Sequence, residues 1–269
     1  TITGIIHFAA YKAVGESVEK PVSYYQNNLG SLLNLLAEVE KADTPIPFIF
    51  SSSCTVYGEA ADLPISENAP VQPAMSPYGN TKQIGEEILV DTVNAIEGFR
   101  VISLRYFNPI GAHPSIAIGE LPLGRPQNLV PFITQTAAGL YPKLTVFGND
   151  YPTSDGTNVR DYIHVVDLAE AHVVALERIL EEKSEAPYEV FNLGTGKGSS
   201  VLEVIESFER VSGLKLPYNI GARREGDVVA AYADTTKANT ILGWKTSRSL
   251  DDAVASAWKW EQKVRGLKP

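Results

Sequence analysis

The stretch "FIFSSSCTVYGE", Phe48 to Glu59, begins as a short apolar run and changes abruptly into three consecutive serines. Consecutive apolar residues are typical of a strand that is covered on both faces, as in a parallel sheet. Side chains at the carboxyl end of such a strand lie beside the ligand crevice of an open α/β sheet. The serine hydroxyls are therefore candidate ligand contacts, although serine is also common where a strand passes into a turn.

Strand and helix patterns alternate around this stretch. Runs rich in β-branched and aromatic residues predict strands at residues 4–9, 46–52, 100–106 and 188–193. Amphipathic patterns predict helices at residues 21–40, 77–96 and 167–180. This alternation indicates an α/β fold, with a doubly wound parallel sheet that carries helices on both faces.

The composition of the sequence changes after residue 108. Long stretches rich in glycine and proline follow, and further helices are predicted at residues 128–138, 200–212, 234–242 and 250–264. Loops of this length within a compact protein are usually functional. We expect one domain from residues 1–108 plus about 155–199, and a smaller α+β substrate domain from residues 109–154 plus about 200–269.

Composition excludes some classes of function. The 269 residues carry a net charge of −9, which argues against non-specific nucleic-acid binding but not against an anionic small ligand in a cleft. No apolar run is long enough to span a bilayer. The single cysteine, Cys54, cannot form an internal disulfide, so a reducing cytoplasmic location is expected.

The segment "SPYGNTKQ" places Tyr78 and Lys82 four residues apart, behind a Ser76-Pro77 pair that suits the start of a helix. The two side chains then share one helical face. An ammonium about 7 Å away, at an effective dielectric of about 20, favours the phenolate by about 2.4 kcal/mol, nearly two pKa units. Tyr78 is thus a candidate general base, whereas a surface pair on an ordinary helix is the alternative.

A hydroxyl at a strand end followed by this pair resembles the Ser/Thr, Tyr and Lys triad of the short-chain dehydrogenase/reductase superfamily. More narrowly, the chain resembles the UDP-glucose 4-epimerase family over residues 5–260. Seven strings occur in order: "HFAAYKAVGESVEKP", "SSSCTVYGE", "SPYGNTK", "RYFNPIGAHPS", "FGNDYPTSDGTNVRDYIHVVDLA", "NLGTGKG" and "RREGD". The resemblance implies a Rossmann-like fold, a bound NAD and a UDP-sugar substrate.

The implied reaction, part of galactose metabolism, inverts carbon 4 of the sugar. Tyr78 removes the hydroxyl proton while hydride passes from carbon 4 to NAD+, and the resulting 4-keto sugar turns over and receives the hydride on its other face. By resemblance Lys82 holds the nicotinamide ribose and lowers the pKa of Tyr78. Ser53, the third of the serines, contacts the reacting hydroxyl.

The same resemblance implies the remaining binding residues, and no metal site. The cofactor contacts are Phe8, Ala9, Ala10, Lys12, Asn27, Ser51, Tyr78, Lys82 and Tyr106. The substrate contacts are Ser53, Asn108, Asn128, Leu129, Phe147, Arg160, Arg224, Asp227 and Ala231. The two arginines bind the diphosphate, Asp227 the uridine ribose, and Phe147 lies beside the uracil. A homodimer is implied, formed by the helices at residues 22–40 and 77–97.

The chain departs from the family pattern in two places. The glycine-rich turn that cradles the dinucleotide occurs nowhere in these residues, and the sequence opens within a strand pattern. We therefore expect a missing N-terminal portion and poor NAD binding by these residues alone. Ala231 replaces a bulky tyrosine of many bacterial members. A small residue leaves room for an N-acetyl group on the sugar, unless the alignment slips by one residue to Tyr232.

Two other functions stay open. A nucleotide-sugar 4,6-dehydratase shares the Tyr-Lys pair but needs an Asp-Glu pair after the strand-end hydroxyl, where this chain has Cys54-Thr55. A non-catalytic nucleotide-sugar-binding remnant is the second alternative. The segment "NLGTGKGSS" lacks the spacing of a phosphate-binding loop and is interpreted as a strand-to-helix turn.

Overall fold

A computed structural model of the protein describes residues 2–224 and 227–267. Its strands are β1 Ile5–His7, β2 Phe48–Ser51, β3 Val101–Tyr106, β4 Asn108–Ile110, β5 Leu144–Phe147, β6 Val159–Arg160, β7 Tyr162–His164, β8 Tyr188–Leu193, β9 Ser199–Ser200, β10 Tyr218–Gly221 and β11 Ala230–Ala231. Its α-helices are α1 Val14–Glu19, α2 Pro21–Val39, α3 Pro77–Ala95, α4 Leu129–Ala137, α5 Val165–Leu180, α6 Val201–Ser212 and α7 Leu250–Arg265. A 3-10 helix spans Cys54–Tyr57 and a π-helix spans Ala238–Leu242.

Contacts divide the described chain into two compact units. Unit 1 contains residues 2–106, 170–193 and 234–244, and unit 2 contains the rest. The expected division differs, since it put residues 155–169 and 194–199 with the first domain and residues 234–244 with the second. The physical reason is strand pairing: β6 and β7, at residues 159–164, pair with β11, β9 and β4 of unit 2.

Unit 1 holds a four-stranded parallel sheet with the order β1-β2-β3-β8. The parallel α/β fold predicted from the alternating pattern is therefore confirmed. Every residue of β2 is buried, as expected for a strand between two neighbours with both faces covered.

Helix α3 lies close to β2, and a glycine permits that approach. A Cβ atom at Gly85 would come within 2.8 Å of the ring of Phe50 and 3.4 Å of Leu32. Leu32 and Phe50 belong to a core that α2, α3 and the sheet share. This packing sets the depth at which α3 presents its side chains to the end of β2.

Unit 2 has its own apolar core, formed by α4, α6, α7 and the strands β5 and β7. Helices α6 and α7 both begin with a capping box, Ser200 with Glu203 and Ser249 with Asp252. Both end at a glycine with a left-handed backbone. The short strands β6, β9 and β11 form a separate three-stranded sheet in this unit.

Within the described residues, no helix is both long and apolar enough to cross a membrane.

Candidate active site

The serine run at the end of β2 is fully buried, and each serine has its own role. The main-chain oxygen of Ser51 accepts a hydrogen bond of 2.6 Å from Lys82 Nζ. Ser52 Oγ donates to Glu86 Oε1 at 2.5 Å. The side chain of Ser53 forms a hydrogen bond with the phenol of Tyr78. The three hydroxyl-bearing residues thus meet one face of α3.

Ser53 also satisfies the alternative explanation of the serine run. It is the N-cap of the 3-10 helix, and its Oγ accepts a hydrogen bond of 3.2 Å from the main-chain N–H of Thr55. A local cap and a candidate catalytic hydroxyl are therefore the same atom. The cap fixes the side chain in the direction of Tyr78.

Helix α3 starts where the sequence predicts. Ser76 is its N-cap, with Oγ accepting from the main-chain N–H of Gly79 at 3.1 Å, and Pro77 occupies the first turn. Tyr78 and Lys82 consequently lie side by side, and both are buried, at 8% and 4% exposure. Lys82 Nζ lies 6.0 Å from the centroid of the Tyr78 ring. The surface-pair alternative is therefore wrong.

Burial dominates the electrostatics of this pair. Desolvation raises the pKa of Tyr78 above its ordinary value, and the hydrogen bond from Ser53 offsets only part of that rise. The pKa of Tyr78 in the chain by itself is therefore set by burial, and the lowering effect expected of Lys82 stays a prediction. Desolvation also lowers the pKa of Lys82 to about 8, against an opposing effect of Glu86. A further positive charge is needed before Tyr78 can ionise near neutrality.

Three of the predicted cofactor contacts converge on a residue that the sequence analysis missed. His172 Nε2 lies 2.9 Å from Ser51 Oγ. The His172 ring also lies 4.4 Å from the ring of Phe8 and 6.0 Å from that of Tyr106, measured between centroids. His172 is buried on α5, far along the chain from its partners, and a single histidine in a helical pattern gives no signal of that position.

The other predicted cofactor contacts lie after β1 and on α2. Ala9 and Lys12 are exposed, and Asn27 Nδ2 donates to Asn28 Oδ1 at 3.0 Å. Asn28, which was not predicted, is buried and accepts from the main-chain N–H of Tyr11 at 2.7 Å. Its Nδ2 donates to Thr81 Oγ1 on α3 at 3.0 Å. Asn28 therefore fixes the segment after β1 against the helix that carries Tyr78.

Four predicted substrate contacts lie together in unit 2. Asp227 accepts two hydrogen bonds from Arg224, at 2.9 and 3.2 Å, and lies 3.8 Å from a nitrogen of Arg160. The guanidinium of Arg224 lies 4.8 Å from the ring centroid of Phe147. These two cations, one carboxylate and one aromatic face suit a nucleoside diphosphate.

Ala231 lies beside this cluster. Strand β11 pairs in parallel with β6, and Ala231 is opposite Arg160. Tyr232 points to the opposite side, because successive residues of an extended segment alternate in direction. Its ring lies with Val159 beside Gly198, where an added Cβ atom would be 3.1 Å from Tyr232 and 2.3 Å from Val159. The structure thus places Ala231, rather than Tyr232, on the side of the strand that Arg160 occupies.

The remaining substrate candidates have contacts of their own. The main-chain N–H of Asn108 donates to the oxygen of Asp161 at 2.9 Å, at the point where β4 and β7 pair. Asn128 is the residue before α4, and its Nδ2 donates to Glu120 Oε1 at 3.0 Å. Leu129 is the first residue of that helix.

The "NLGTGKG" segment forms a turn between β8 and β9. The main-chain N–H groups of Thr195 and Gly196 donate to the buried carboxylate of Asp161, at 2.8 and 3.2 Å. A Cβ atom at Gly194 would lie 2.3 Å from that carboxylate, so the position requires glycine. These amides are occupied by a protein carboxylate, which agrees with a structural turn rather than a phosphate loop.

Comparison with known proteins gives one consistent picture. A family model described as GDP-mannose 4,6 dehydratase matches residues 1–257. The UDP-glucose 4-epimerase of Cyamopsis tetragonoloba is 52% identical over 259 residues, which are 96% of this chain and 73% of the relative. That of Bacillus subtilis is 50% identical over 268 residues, 99% of this chain and 78% of the relative.

Solved structures agree with these relatives. The UDP-glucose 4-epimerase of Stenotrophomonas maltophila, with bound NAD and formylated UDP-arabinopyranose, superposes with a TM-score of 0.94 at 45% identity, covering 98% of this chain and 77% of that one. The Bifidobacterium longum enzyme, in complex with NAD+ and UDP, gives a TM-score of 0.91 at 48% identity, covering 97% and 77%.

Proposed function

This chain belongs to the UDP-glucose 4-epimerase family, and on that premise we propose that it interconverts UDP-glucose and UDP-galactose at carbon 4. The observation that carries the proposal is the buried group of Ser53, Tyr78 and Lys82. Ser53 and Tyr78 share a hydrogen bond, and Lys82 lies on the same helical face.

The residues of unit 1 fit the nicotinamide ribose end of NAD on chemical grounds. A phenol and an ammonium lie side by side at the carboxyl end of β2, where such sheets bind dinucleotides. When bound, NAD supplies the positive charge of the nicotinamide ring and takes up and returns the hydrogen of carbon 4. We propose that Phe8, Ala9, Ala10, Lys12, Asn27, Ser51 and Tyr106 complete the cofactor contacts.

Tyr78 is the residue that accepts and returns the proton of the sugar hydroxyl. Without a positive partner its phenol stays protonated at neutral pH, because burial raises its pKa. The charge of Lys82 and of the cofactor favours the phenolate, which accepts the proton of the sugar hydroxyl that Ser53 orients. The 4-keto sugar that forms then takes the proton back from Tyr78 after turning over.

In unit 2 we propose that Arg160 and Arg224 bind the diphosphate of the substrate and that Phe147 stacks beside the uracil. Asp227 holds both arginines in this structure and binds the uridine ribose in the complex. Asn108, Asn128, Leu129 and Ala231 line the sugar. The small side chain of Ala231, on the same side of β11 as Arg160, supports acceptance of N-acetylated UDP-sugars.

The dehydratase alternative has less support, although the matching family model carries that description. Dehydration requires an acid and a base directly after the strand-end hydroxyl. Cys54 and Thr55 occupy those positions, in the 3-10 helix that Ser53 caps. Neither side chain is a carboxylate.

We further propose a cytoplasmic homodimer. The resemblance implies association through α2 and α3, and both helices expose apolar side chains: Val22 and Leu33 on α2, and Val90 on α3. The lone Cys54 is consistent with a reducing compartment. Sedimentation equilibrium should give twice the chain mass, and a monomer would contradict this part of the proposal.

The activity is tested with Tyr78→Phe, which removes one oxygen. The intact protein supplied with NAD should convert UDP-galactose to UDP-glucose, and the variant should be about 1,000-fold slower. Tyr24→Phe is the matched control, because Tyr24 is equally buried in unit 1 but its hydroxyl bonds to Glu16 and Ala13. Equal rates for the two variants would refute a role for Tyr78 as the base.

A further inference from the structure

Helix α3 carries a third buried ionisable side chain in line with the first two. Tyr78, Lys82 and Glu86 follow at intervals of four residues, so they lie along one face of the helix. Glu86 is 7% exposed. A carboxylate at that depth is unusual unless it is paired, and the proposed reaction does not use it.

Arg105 pairs with Glu86 from the neighbouring strand β3. Its Nε donates to Oε1 at 2.9 Å and its second nitrogen to Oε2 at 2.5 Å, which is a bidentate contact. The side chains of Arg105 and Glu86 are only 8% and 9% exposed. The pair therefore places the Glu86 carboxyl group directly against a guanidinium inside unit 1.

Glu86 and Lys82 together hold two consecutive residues at the end of β2. Ser52 Oγ donates to Glu86, while the oxygen of Ser51 accepts from Lys82 Nζ. Ser53, which follows directly, contacts Tyr78. Three consecutive serines at the end of β2 therefore contact three side chains on one face of α3.

The charge of Lys82 depends on few neighbours. Burial lowers its pKa to about 8, and Glu86 is the group that raises it. His7 of β1 also faces Lys82, but its own pKa is lowered to about 4 by burial and by Lys82, so it is neutral at physiological pH. Tyr188 of β8 faces Glu86. The further ionisable groups around the site are Tyr24, Cys54, Tyr57, Tyr78, Arg105, Tyr106 and His172.

We propose that Glu86, seated by Arg105 and Ser52, is a positioning residue that keeps Lys82 charged and aligned with Tyr78. The role of Lys82 in the reaction rests on the proposed function, whereas the effect of Glu86 on Lys82 does not. An ammonium beside Tyr78 is one of the two charges that favour the phenolate. Removal of the Glu86 carboxylate therefore weakens the base without touching the substrate.

The direct test is the titration of Lys82 by NMR in protein labelled with 13C at lysine Cε, with Lys82→Met used for assignment. Glu86→Gln should move the titration of Lys82 down by about one pH unit. Glu86→Asp, which keeps the charge, should leave it near that of the wild type. An unchanged titration in folded Glu86→Gln would overturn the proposal.

Two further variants separate electrostatics from folding. The double variant Glu86→Gln, Arg105→Gln leaves no unpaired buried charge, so it should fold and still show the lowered titration. Glu189→Gln breaks a matched bidentate pair in unit 1, Arg178 with Glu189, whose side chains are 8% and 6% exposed. That control should lose similar stability and leave Lys82 unchanged; an equal shift there would also overturn the proposal.

Kinetics then tests the link to the reaction. In Glu86→Gln the alkaline limb of the plot of kcat against pH should move to lower pH by the same amount as the titration of Lys82. The KM for the UDP-sugar should stay within about twofold of the wild-type value. A shifted titration with an unshifted limb would refute the positioning role in catalysis. Absence of any epimerase activity in the intact wild-type protein would instead refute the proposed function and leave the titration result standing.

Discussion

The candidate groups of the two units are held in opposite ways. In unit 1, Tyr78 and Lys82 are buried and bonded to a serine hydroxyl and a main-chain oxygen, so desolvation sets their protonation. In unit 2, the Arg224 side chain is 52% exposed and is paired with the carboxylate of Asp227, whose side chain is 15% exposed. A change in unit 1 should therefore alter proton chemistry, whereas a change in unit 2 should alter affinity.

The largest expected effect is that of Lys82→Met. Turnover should fall about 1,000-fold, because the phenolate of Tyr78 loses a nearby cation. Stability should change in the opposite direction, by about 3 kcal/mol in favour of the variant at pH 7, because the folded protein no longer keeps a charged amine in its interior.

The pH dependence of that gain follows from the lowered pKa. In the unfolded chain Lys82 keeps its proton up to its ordinary pKa of 10.5, whereas in the folded protein it does so only up to a pKa of about 8. The wild type therefore recovers stability as the pH rises from about 8 to 10.5, and the difference from the variant should shrink. Urea denaturation at pH 7 and pH 10 measures this; a variant less stable than the wild type at pH 7 would contradict it.

The next effect concerns unit 2. Arg224→Gln should weaken UDP binding by about 10- to 100-fold, because a bidentate phosphate contact is lost. Arg210→Gln is the matched control: Arg210 is also half exposed, at 59%, and pairs bidentately with Asp251 in the same unit. Calorimetric titration with UDP should show a loss for the first variant only. Equal affinities of the two variants for UDP would contradict the assignment of Arg224 as a substrate contact in unit 2.

The smallest effect is on substrate choice. Ala231→Tyr should reduce the rate on UDP-N-acetylglucosamine at least about 10-fold relative to the rate on UDP-glucose, because the larger ring fills the space for the acetamido group. Ala231→Ser, which is nearly as small as the wild type, should keep the original ratio. Unchanged relative rates in Ala231→Tyr would show that Ala231 does not line the sugar pocket.

Long elements of the fold are predictable from the sequence and short ones are not. The predicted helices at residues 21–40 and 77–96 correspond to α2 and α3, and the strand predicted at residues 188–193 corresponds to β8. In contrast, β6 and β9 have two residues each, too few for a periodic pattern. Their pairing with β11 and each other is also what moves residues 159–160 into unit 2.

The site shows the same limit. Tyr78 and Lys82 are detectable because their spacing is local and Ser76 with Pro77 marks the helix start. Glu86 has the same spacing, yet its significance depends on Arg105 and Ser52, which are brought to it only by folding. The effect of burial on Tyr78 is likewise invisible in the sequence, and in the structure that effect raises the pKa of the phenol above its ordinary value.

The most direct measurement follows the hydrogen of carbon 4. The intact protein, supplied with NAD, is incubated with UDP-glucose that carries deuterium at carbon 4, and the products are examined by NMR. Epimerisation returns the label to the same carbon, so we predict deuterium at carbon 4 of both UDP-glucose and UDP-galactose, and none of this exchange in Tyr78→Phe. Label at carbon 6 of a 4-keto-6-deoxy sugar, or recovery of UDP-glucose alone, would contradict the account.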